Sequence, residues 1–341
     1  MKGVVIKVTT SVLMAVYNGE KYITEQLDSI RLQSVSPDEV LICDDNSCDK
    51  SVELIAAYIK KNSLISWKIL VNEKNLGWRK NFFLNLKNVS GDVVFFSDQD
   101  DIWKADKIEK MLSCFSMNDR VYAIGGYAQL IDAEGNNLTK EWEIPSTRCK
   151  GSNGLIKSKS NIKGLSFGMW GCGMAIKREL ISYLKYVKPD ELDLISHDVF
   201  FWKIATILGG AYRYDRVVVE RRIHDSNSSD VNKISERYNA GINFDRRMSK
   251  LKVEELLFAI MLRISTNLPQ PQNEKVSKGL KKHINFIRVR MRALKKRNIF
   301  LFLSILFGYK FYPYAYIYID ELTNQMNINK VARAVRLRFK S

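Results

Sequence analysis

The sequence lacks the cysteine patterns that hold structural metals or disulfide frameworks. Five cysteines are scattered over 341 residues, and no two of them form a C-x-x-C pair. Zinc sites and small disulfide-bonded domains need paired, regularly spaced cysteines, so the sequence argues against both classes. Isolated thiols in odd number are typical of a reducing compartment, and we expect this chain to be cytosolic.

Glycine-rich phosphate loops are missing as well. The first predicted strand–helix junction contains neither G-x-G-x-x-G nor G-x-x-x-x-G-K-[ST]. A dinucleotide-binding dehydrogenase or a P-loop enzyme is therefore not expected. A signal peptide is not expected either, because the first residues lead into a short strand-like run without a cleavage site.

Long uninterrupted hydrophobic runs are absent from the C-terminal region. An apolar block at 299–307 is followed by Gly308 and Lys310, and the aromatic run at 311–319 is interrupted by Pro313. A membrane-spanning helix needs about 20 predominantly apolar residues. We therefore predict an interfacial membrane segment here, with a helix packed against the first domain as the alternative.

Acidic residues are scarce in the last third of the chain. Residues 1–240 carry 33 Lys and Arg against 31 Asp and Glu, whereas residues 241–341 carry 21 against 6. The net charge of +17 is thus concentrated in the C-terminal part, which predicts an anionic partner there. We expect that partner to be a membrane surface. Nucleic acid is not expected, because no recognised nucleic-acid motif or stacking platform accompanies the charge.

Alternating strand and helix patterns fill the first 100 residues. Helical patterns extend to about residues 33, 61 and 86, the first of them with Asn18 as its N-cap. The apolar runs between these patterns have the length of buried strands and lie at 11–16, 39–43, 67–71 and 93–96. This alternation predicts an α/β fold with a Rossmann-like, mainly parallel central sheet flanked by helices.

Composition divides the chain into two predicted domains. We expect a first domain over residues 1–235, with halves at about 1–115 and 116–235. A mostly helical, basic extension is predicted for residues 236–341. Residues 141–168 are poor in apolar side chains, which predicts a mobile loop or a plain surface connector.

Three carboxylates follow the most apolar of the predicted strands. Val93–Phe96 lead directly into Asp98, Asp100 and Asp101. Ligands of open α/β sheets bind at the carboxyl ends of the strands. Like charges this close raise each other's pKa unless a cation intervenes. The pattern therefore predicts a hard divalent cation, Mg²⁺ or Mn²⁺, bound to phosphate oxygens, with a solvated acidic turn as the alternative.

Two other predicted strands also end in polar residues. The first ends at Tyr17-Asn18 and the second at Asp44-Asp45. The carboxylates suit hydrogen bonds to ribose hydroxyls or to the N–H of uracil or thymine, although Asp44 and Asp45 are also typical of a helix N-terminus. Together with a metal-bound diphosphate, these residues predict a nucleotide site.

Four motifs occur in the order that is typical of glycosyltransferase family 2. They are V-Y-N-G, D-D-N-S-x-D at 44–49, N-x-x-N-x-G at 72–77 and D-x-D-D at 98–101. Over about residues 9–230 the chain resembles this family, and its S-D-Q-D-D-I-W segment is similar to the bacterial rhamnosyltransferase-like members. The resemblance implies a GT-A fold and a nucleotide-sugar donor.

The resemblance also implies roles for individual residues on the donor side. Tyr17 would pack near the base, Asp45 or its neighbour Asp44 would contact the base, and Asp98 would contact the ribose or the metal. Asn75 and Arg79 would line the donor pocket, although Arg79 is equally compatible with a surface helix position. Asp100 would bind the divalent metal, and the resemblance suggests His224 as a further ligand of the metal or the diphosphate.

The acceptor side is predicted around a glycine-rich strand and a helix start. Gly171 and Cys172 belong to a G-C-G segment whose glycines permit close backbone approach. His197-Asp198 open a helix at the place where the family usually carries Glu-Asp. By this resemblance Asp198 is the catalytic base and His197 is a departure of unassigned role. The alternative for Asp198 is simple complementation of the helix dipole.

The expected activity is an inverting, metal-dependent glycosyl transfer. A sugar, with rhamnose as the first expectation, would pass from a nucleoside-diphosphate sugar to a hydroxyl of a lipid-linked or glycan acceptor. The expected place is the inner face of the cytoplasmic membrane. Two alternatives remain open at this point: a sugar-phosphate nucleotidyltransferase, and a non-catalytic membrane-surface binding protein on a transferase scaffold.

Overall fold

The computed structural model describes residues 8–138, 154–165, 168–225, 227, 244–268 and 272–296. The chain divides into two compact units, Met1–Asp225 and Ser226–Ser341. The sequence-based boundary at about residue 235 stays a prediction.

The first unit alternates strands and helices in the predicted manner. Its first half contains β1 Thr10–Val16, α1 Ile23–Arg31, β2 Glu39–Asp44, α2 Ser51–Lys61, β3 Trp67–Val71, α3 Trp78–Asn85 and β4 Val93–Ser97. Its second half contains β5 Ile102–Trp103, α4 Lys107–Ser116, β6 Ala123–Ile131, β7 Leu155–Lys157, α5 Ile162–Leu165, β8 Met174–Lys177, α6 His197–Ile207 and β9 Ala211–Arg222.

All nine strands in the described part of the chain belong to one mixed sheet. Its order is β3-β2-β1-β4-β8-β6-β9-β5, and β7 pairs with β9 off this path. The first four strands of that order are mutually parallel, and β6 is parallel to β9. Strand β8 runs antiparallel to both β4 and β6, while β5 and β7 run antiparallel to β9. The prediction of a mainly parallel sheet flanked by helices is confirmed, with the antiparallel strands added to it.

The topology places a ligand crevice beside β1. The chain passes from β1 to β2 on one side and later returns as β4 on the other. Such a switch point leaves an opening at the carboxyl ends of the strands. All five residues of β4 are buried, as its continuous apolar pattern predicts for a central strand covered on both faces. The D-x-D-D segment therefore leaves the sheet at its centre.

Asn18 does not cap helix α1. The helix begins at Ile23, and Asn18 has a positive φ of 49°. Its backbone N–H donates to Ser47 Oγ at 2.9 Å, and its Oδ1 accepts from the backbone N–H of Cys48 at 2.9 Å. Asparagine tolerates the left-handed conformation, so it serves here to tie the end of β1 to the loop after β2.

The expectation of a loop over residues 141–168 is wrong for part of that segment. Residues 154–165 include strand β7, which pairs with β9, and the short helix α5. Pairing with a distant strand overrides the polar local composition. The rest of the segment, at 141–153 and 166–167, lies outside the described residues.

The described residues of the second unit form two helices, α7 Phe244–Ser265 and α8 Gln272–Lys296, which pack against each other. Between them, Ser265 Oγ and Ser277 Oγ lie 2.8 Å apart, and the His283 ring lies 4.1 Å from that of Phe258. The predicted helical content of the extension is confirmed for this part. Among the described helices none is long and apolar enough to cross a membrane. The predicted interfacial segment at 299–319 lies outside the described residues.

Candidate active site

Gln99 joins the acidic loop at 98–101 to the end of β1 by two hydrogen bonds. The Tyr17 N–H donates to Gln99 Oε1 at 2.6 Å, and Gln99 Nε2 donates to the Tyr17 carbonyl at 2.9 Å. A Cβ on Gly19 would lie 2.6 Å from the end of the Gln99 side chain, so a larger residue here would displace Gln99 from this position. The Tyr17 side chain itself remains 46% exposed and is available at the rim of the crevice.

Both carboxylates after β2 are buried and already accept hydrogen bonds from the protein. Asp44 accepts from the backbone N–H and the hydroxyl of Ser47, at 2.8 and 2.5 Å. Asp45 accepts from the backbone N–H groups of Leu76 and Gly77, each at 2.8 Å. Each carboxylate oxygen has two lone pairs, so a base contact would use the remaining acceptor capacity. The observed bonds show that Asp45 holds the N-x-x-N-x-G loop against β2.

Arg79 lies in helix α3, directly after the N-x-x-N-x-G loop, and within reach of the charge of Asp198, the predicted base. Its guanidinium lies 4.4 Å from the Trp78 ring centre, and its Nε is buried with no hydrogen-bond partner among the described residues. Burial lowers the pKa of Arg79, and the charges of Asp198 and Asp193 oppose that shift. The half-buried position beside Asp198 disagrees with the alternative of a plain surface residue.

Asp98 is the point where the acidic residues converge. Burial raises its pKa to about 7, and the charges of Asp100 and Asp198 add to the rise. Arg221 and Lys107 act in the opposite direction. The charge of Asp198 acts on Asp98 although 100 residues separate them in sequence, so the start of helix α6 lies near the D-x-D-D loop.

Asp100 and His224, the two predicted metal ligands, are in direct contact. Asp100 Oδ2 lies 2.9 Å from His224 Nε2. The imidazole packs against the Tyr22 ring at 4.9 Å between centres. Arg222 supports the loop from behind, since its Nε donates to the Asp100 carbonyl at 3.1 Å. The structure therefore brings these two residues together although 124 residues separate them in sequence.

A second group of potential ligands lies beneath this pair. Ligand atoms of Asp98, Asp101 and Cys172 lie within 4.8 Å of one another. Asp101 is buried, and its Oδ2 has no hydrogen-bond partner in the part of the chain that the structure describes. An unpaired buried carboxylate oxygen is a site that a cation satisfies, so the donor set fits a divalent metal. Burial raises the pKa of the Cys172 thiol well above its usual range, which favours the carboxylates as ligands for a hard ion.

Lys107 is a functional-site residue that the sequence did not reveal. It is fully buried, its Nζ donates to the Cys172 carbonyl at 2.5 Å, and it lies 3.4 Å from the Trp103 ring centre. Burial lowers its pKa to about 7, against the opposing charges of Asp101 and Asp98. Nothing in its local sequence distinguishes it from an exposed helix lysine. Only the fold places it as a counter-charge for the acidic loop.

His197 is an internal, uncharged side chain. Its ring centre lies 3.9 Å from that of Phe82, 4.5 Å from that of Phe96 and 6.2 Å from that of Trp78. Neither ring nitrogen has a hydrogen-bond partner among the described residues, and burial lowers its pKa to about 4. His197 is therefore neutral at physiological pH. Its ring packs in the aromatic core next to Asp198.

Asp198 occupies the first turn of α6 at the rim of this aromatic cluster. Its Oδ1 accepts from the backbone N–H of Val199 at 2.7 Å, and the side chain is half-buried. Gly171 packs close by, because a Cβ there would lie 2.6 Å from His197 Nε2 and 3.6 Å from Asp198 Cβ. The predicted acceptor-side residues thus share one wall.

The comparisons with known proteins agree with this geometry. The model of the family described as glycosyl transferase family 2 matches residues 11–184, about half of the chain. The chain belongs to this family. The sheet with its acidic crevice is a GT-A fold, as expected for a member of this family. The alternative of a nucleotidyltransferase is thereby disfavoured.

Similar curated proteins are also transferases. An uncharacterised glycosyltransferase of Haemophilus influenzae is 35% identical over 128 residues, which cover 38% of this chain and 50% of the relative. The dTDP-rhamnosyl transferase RfbG of Shigella flexneri is 28% identical over 236 residues, covering 64% and 74%. The chain thus spans half the length of the first relative.

Solved structures share the fold of the glycosyltransferase. The TarS 1–349 structure of S. aureus in complex with UDP superposes with a TM-score of 0.55 at 18% identity. The match covers 83% of this chain and 70% of TarS. At this identity the similarity shows the architecture alone.

Proposed function

We propose that this glycosyltransferase transfers a sugar from a nucleoside-diphosphate sugar to a hydroxyl of a cell-surface glycan precursor, with inversion and with a divalent cation. One observation carries the proposal. Asp100 contacts His224 at 2.9 Å in the crevice where β1, β2 and β4 end, and Asp98 of the same loop lies within reach of the charge of Asp198. Donor phosphates and the attacking hydroxyl would meet there.

The donor nucleotide is assigned to the side formed by β1 and β2. Tyr17 offers an exposed aromatic face for the base, and Asp44 and Asp45 lie below it at the end of β2. Asn75 and Arg79 would border the pocket. A pyrimidine nucleotide is supported by the names of the relatives, a dTDP-rhamnosyl transferase and a protein crystallised with UDP and UDP-GlcNAc. We take dTDP-rhamnose as the first donor to test.

The cation is assigned to Asp100 and His224, with Asp98 and Asp101 adjoining. Their contact at 2.9 Å and the unpaired oxygen of Asp101 support this assignment. A bound Mg²⁺ or Mn²⁺ would offset the negative charge that builds up on the leaving diphosphate. A mannosyltransferase of Pyrobaculum calidifontis with GDP-Man and Mn²⁺ superposes on the chain with a TM-score of 0.51.

Asp198 is assigned as the general base. Its carboxylate would remove the proton from the acceptor hydroxyl while that oxygen attacks the anomeric carbon from the face opposite the diphosphate. Neutral His197 and the rings around it form an apolar wall that excludes water from one side of the carboxylate. The hydroxyl oxygen would gain the sugar, and the diphosphate would leave with the bonding electron pair.

The second unit is proposed to hold the enzyme at an anionic membrane surface. Eight basic side chains of α8 are exposed along the helix: Lys275, Lys278, Lys281, Lys282, Arg288, Arg292, Lys295 and Lys296. Basic stripes of this kind bind anionic lipid headgroups. A lipid-linked acceptor would be met at the same surface.

Free nucleoside diphosphate is the product that tests the proposal. Wild-type protein with donor, Mn²⁺ and acceptor lipid extract should release it, whereas a nucleotidyltransferase would release pyrophosphate and a binding protein neither. Asp198→Asn should lower transfer by about 10³-fold or more while donor affinity survives. Asp100→Ala should lose both. Transfer that persists in Asp198→Asn would contradict the assigned base.

A further inference from the structure

Trp170 exposes a large part of its surface to solvent. Among the exposed large apolar side chains of the described residues, only Tyr17 and Trp170 are aromatic. Trp170 is 44% exposed, whereas Trp103 and Trp202 are buried in the core. An indole has a large apolar surface, and leaving it in water is unfavourable. Exposed aromatics at a crevice commonly serve ligand binding.

The position of Trp170 is fixed relative to the predicted base. Its carbonyl accepts from the Gly173 N–H at 3.0 Å, which closes a tight turn. Gly171 within that turn presses against helix α6, since a Cβ there would approach His197 Nε2 to 2.6 Å and Asp198 Cβ to 3.6 Å. Trp170 therefore immediately precedes Gly171, whose backbone packs against Asp198, the residue proposed to accept the proton.

One face of the indole is covered by a cation from the site. The Arg221 guanidinium lies 4.8 Å from the Trp170 ring centre. Arg221 is largely buried near the end of β9. The cation–π contact orients the ring and links it to the acidic loop. The outer face remains for a ligand.

We propose that Trp170 forms the floor of the acceptor subsite and stacks on a sugar ring of the acceptor. The inference rests on the proposed function, because it takes Asp198 as the base. A general base must reach the acceptor hydroxyl, so a surface fixed beside Asp198 belongs to the acceptor rather than to the donor. Tyr17, the other exposed aromatic residue, lies at the end of β1 on the nucleotide side.

The chemistry of the ring defines what Trp170 selects. A pyranose presents an apolar face of C–H bonds where its hydroxyls point sideways or to the opposite face. Such a face packs on an indole, and the hydroxyl to be glycosylated then extends over the edge of the ring toward Asp198. Trp170 is accordingly a specificity-determining residue that holds the acceptor sugar.

Saturation-transfer NMR with methyl glycosides tests the subsite directly. Methyl α-rhamnoside, β-glucoside, β-galactoside and N-acetyl-β-glucosaminide are titrated into the full chain in the presence of Mn²⁺ and UDP or dTDP. In wild type, the ring C–H protons of at least one glycoside should be saturated. Trp170→Ala should weaken that binding about tenfold, Trp170→Phe should retain it to within a few-fold, and Met117→Ala, an exposed apolar control on α4, should leave it unchanged.

Donor binding separates this inference from the proposed function. Trp170→Ala should bind the nucleotide sugar with wild-type affinity, to within about twofold, because the indole lies on the acceptor side. Glycoside binding that is unchanged in Trp170→Ala would overturn the inference, as would an equal loss of donor affinity or no glycoside contact in wild type. A wild-type protein that binds no nucleotide sugar would instead overturn the proposed function.

Discussion

At the scale of single residues, burial decides which side chains of the site carry charge. His197 occupies the position where glycosyltransferase family 2 usually carries a glutamate. The structure explains why a histidine is tolerated there. Three aromatic rings surround the imidazole, and no polar partner among the described residues would favour its protonation. A neutral His197 fills space under Asp198 without adding a competing charge.

The pH dependence of stability tests this description of His197. The pKa of about 4 in the folded state lies below the ordinary value near 6.5, so the unfolded chain binds the proton first. The stabilisation is complete above pH 6.5 and is lost as the pH falls toward 4, by about 3 kcal/mol. Urea unfolding of wild type and His197→Leu between pH 4 and 7.5 measures this loss of stability. Wild type should lose about 3 kcal/mol of unfolding free energy relative to His197→Leu between pH 7.5 and 4, and a pH-independent difference would contradict this description.

Asp45 illustrates a residue whose role is structural support for the donor pocket. Replacing it with alanine removes the acceptor for the backbone N–H groups of Leu76 and Gly77 and for Asn72 Nδ2. The Gly77 N–H and Asn72 Nδ2 also donate to Asn75 Oδ1 and Asn81 Oδ1, so the Leu76 N–H is the donor that loses its acceptor. Asp45→Ala should therefore lower the free energy of unfolding by about 1–3 kcal/mol in urea titrations. Asn75→Ala, an exposed change in the same loop, should cost less than about 1 kcal/mol, and equal losses would contradict this role.

At the scale of elements, local periodicity specifies the first half of the sheet and fails for the second. Strands β1 to β4 were predictable because each is a continuous apolar run ended by polar residues. Strand β5 is only Ile102–Trp103, and β7 only Leu155–Lys157, so neither gives a periodic signal. Both exist because β9 offers a partner edge, which is a long-range property.

The site was predictable to the same extent. Asp98, Asp100 and Asp198 stand in recognisable motifs, so sequence alone identified them as candidates. The buried cluster beneath them depends on packing, because Lys107 and Arg221 become counter-charges only when α4 and β9 come together around the acidic loop. Trp170 likewise has no motif of its own and is distinguished only by its exposure next to the turn.

At the scale of the whole molecule, charge is divided between the two units. The first unit is nearly neutral, whereas the described helices of the second expose a basic stripe along α8. This division predicts that membrane affinity and catalysis respond to different substitutions.

Charge reversal on α8 tests the membrane proposal. Lys275, Lys278 and Lys281 changed together to Glu should weaken cosedimentation with phosphatidylglycerol vesicles by at least about 100-fold, at about 1 kcal/mol per lysine. The matched control changes three exposed lysines of the first unit, Lys60, Lys61 and Lys110, to Glu. An equal effect of both sets, or binding to neutral vesicles alone, would contradict a specific role of α8.

Ligand-induced stabilisation tests the central claim most directly, namely that the acidic crevice binds a nucleotide sugar through a cation. Wild type, Asp100→Ala and Asp198→Asn are melted with UDP-, GDP- and dTDP-sugars, with and without Mg²⁺ or Mn²⁺. We expect the wild-type protein to be stabilised by about 2.7 kcal/mol at a ligand concentration of 100 times Kd. This stabilisation should require both one nucleotide and the cation. It should persist in Asp198→Asn and vanish in Asp100→Ala. A folded wild-type protein that shows no shift with any pair, or an Asp100→Ala variant that responds like wild type, would contradict it.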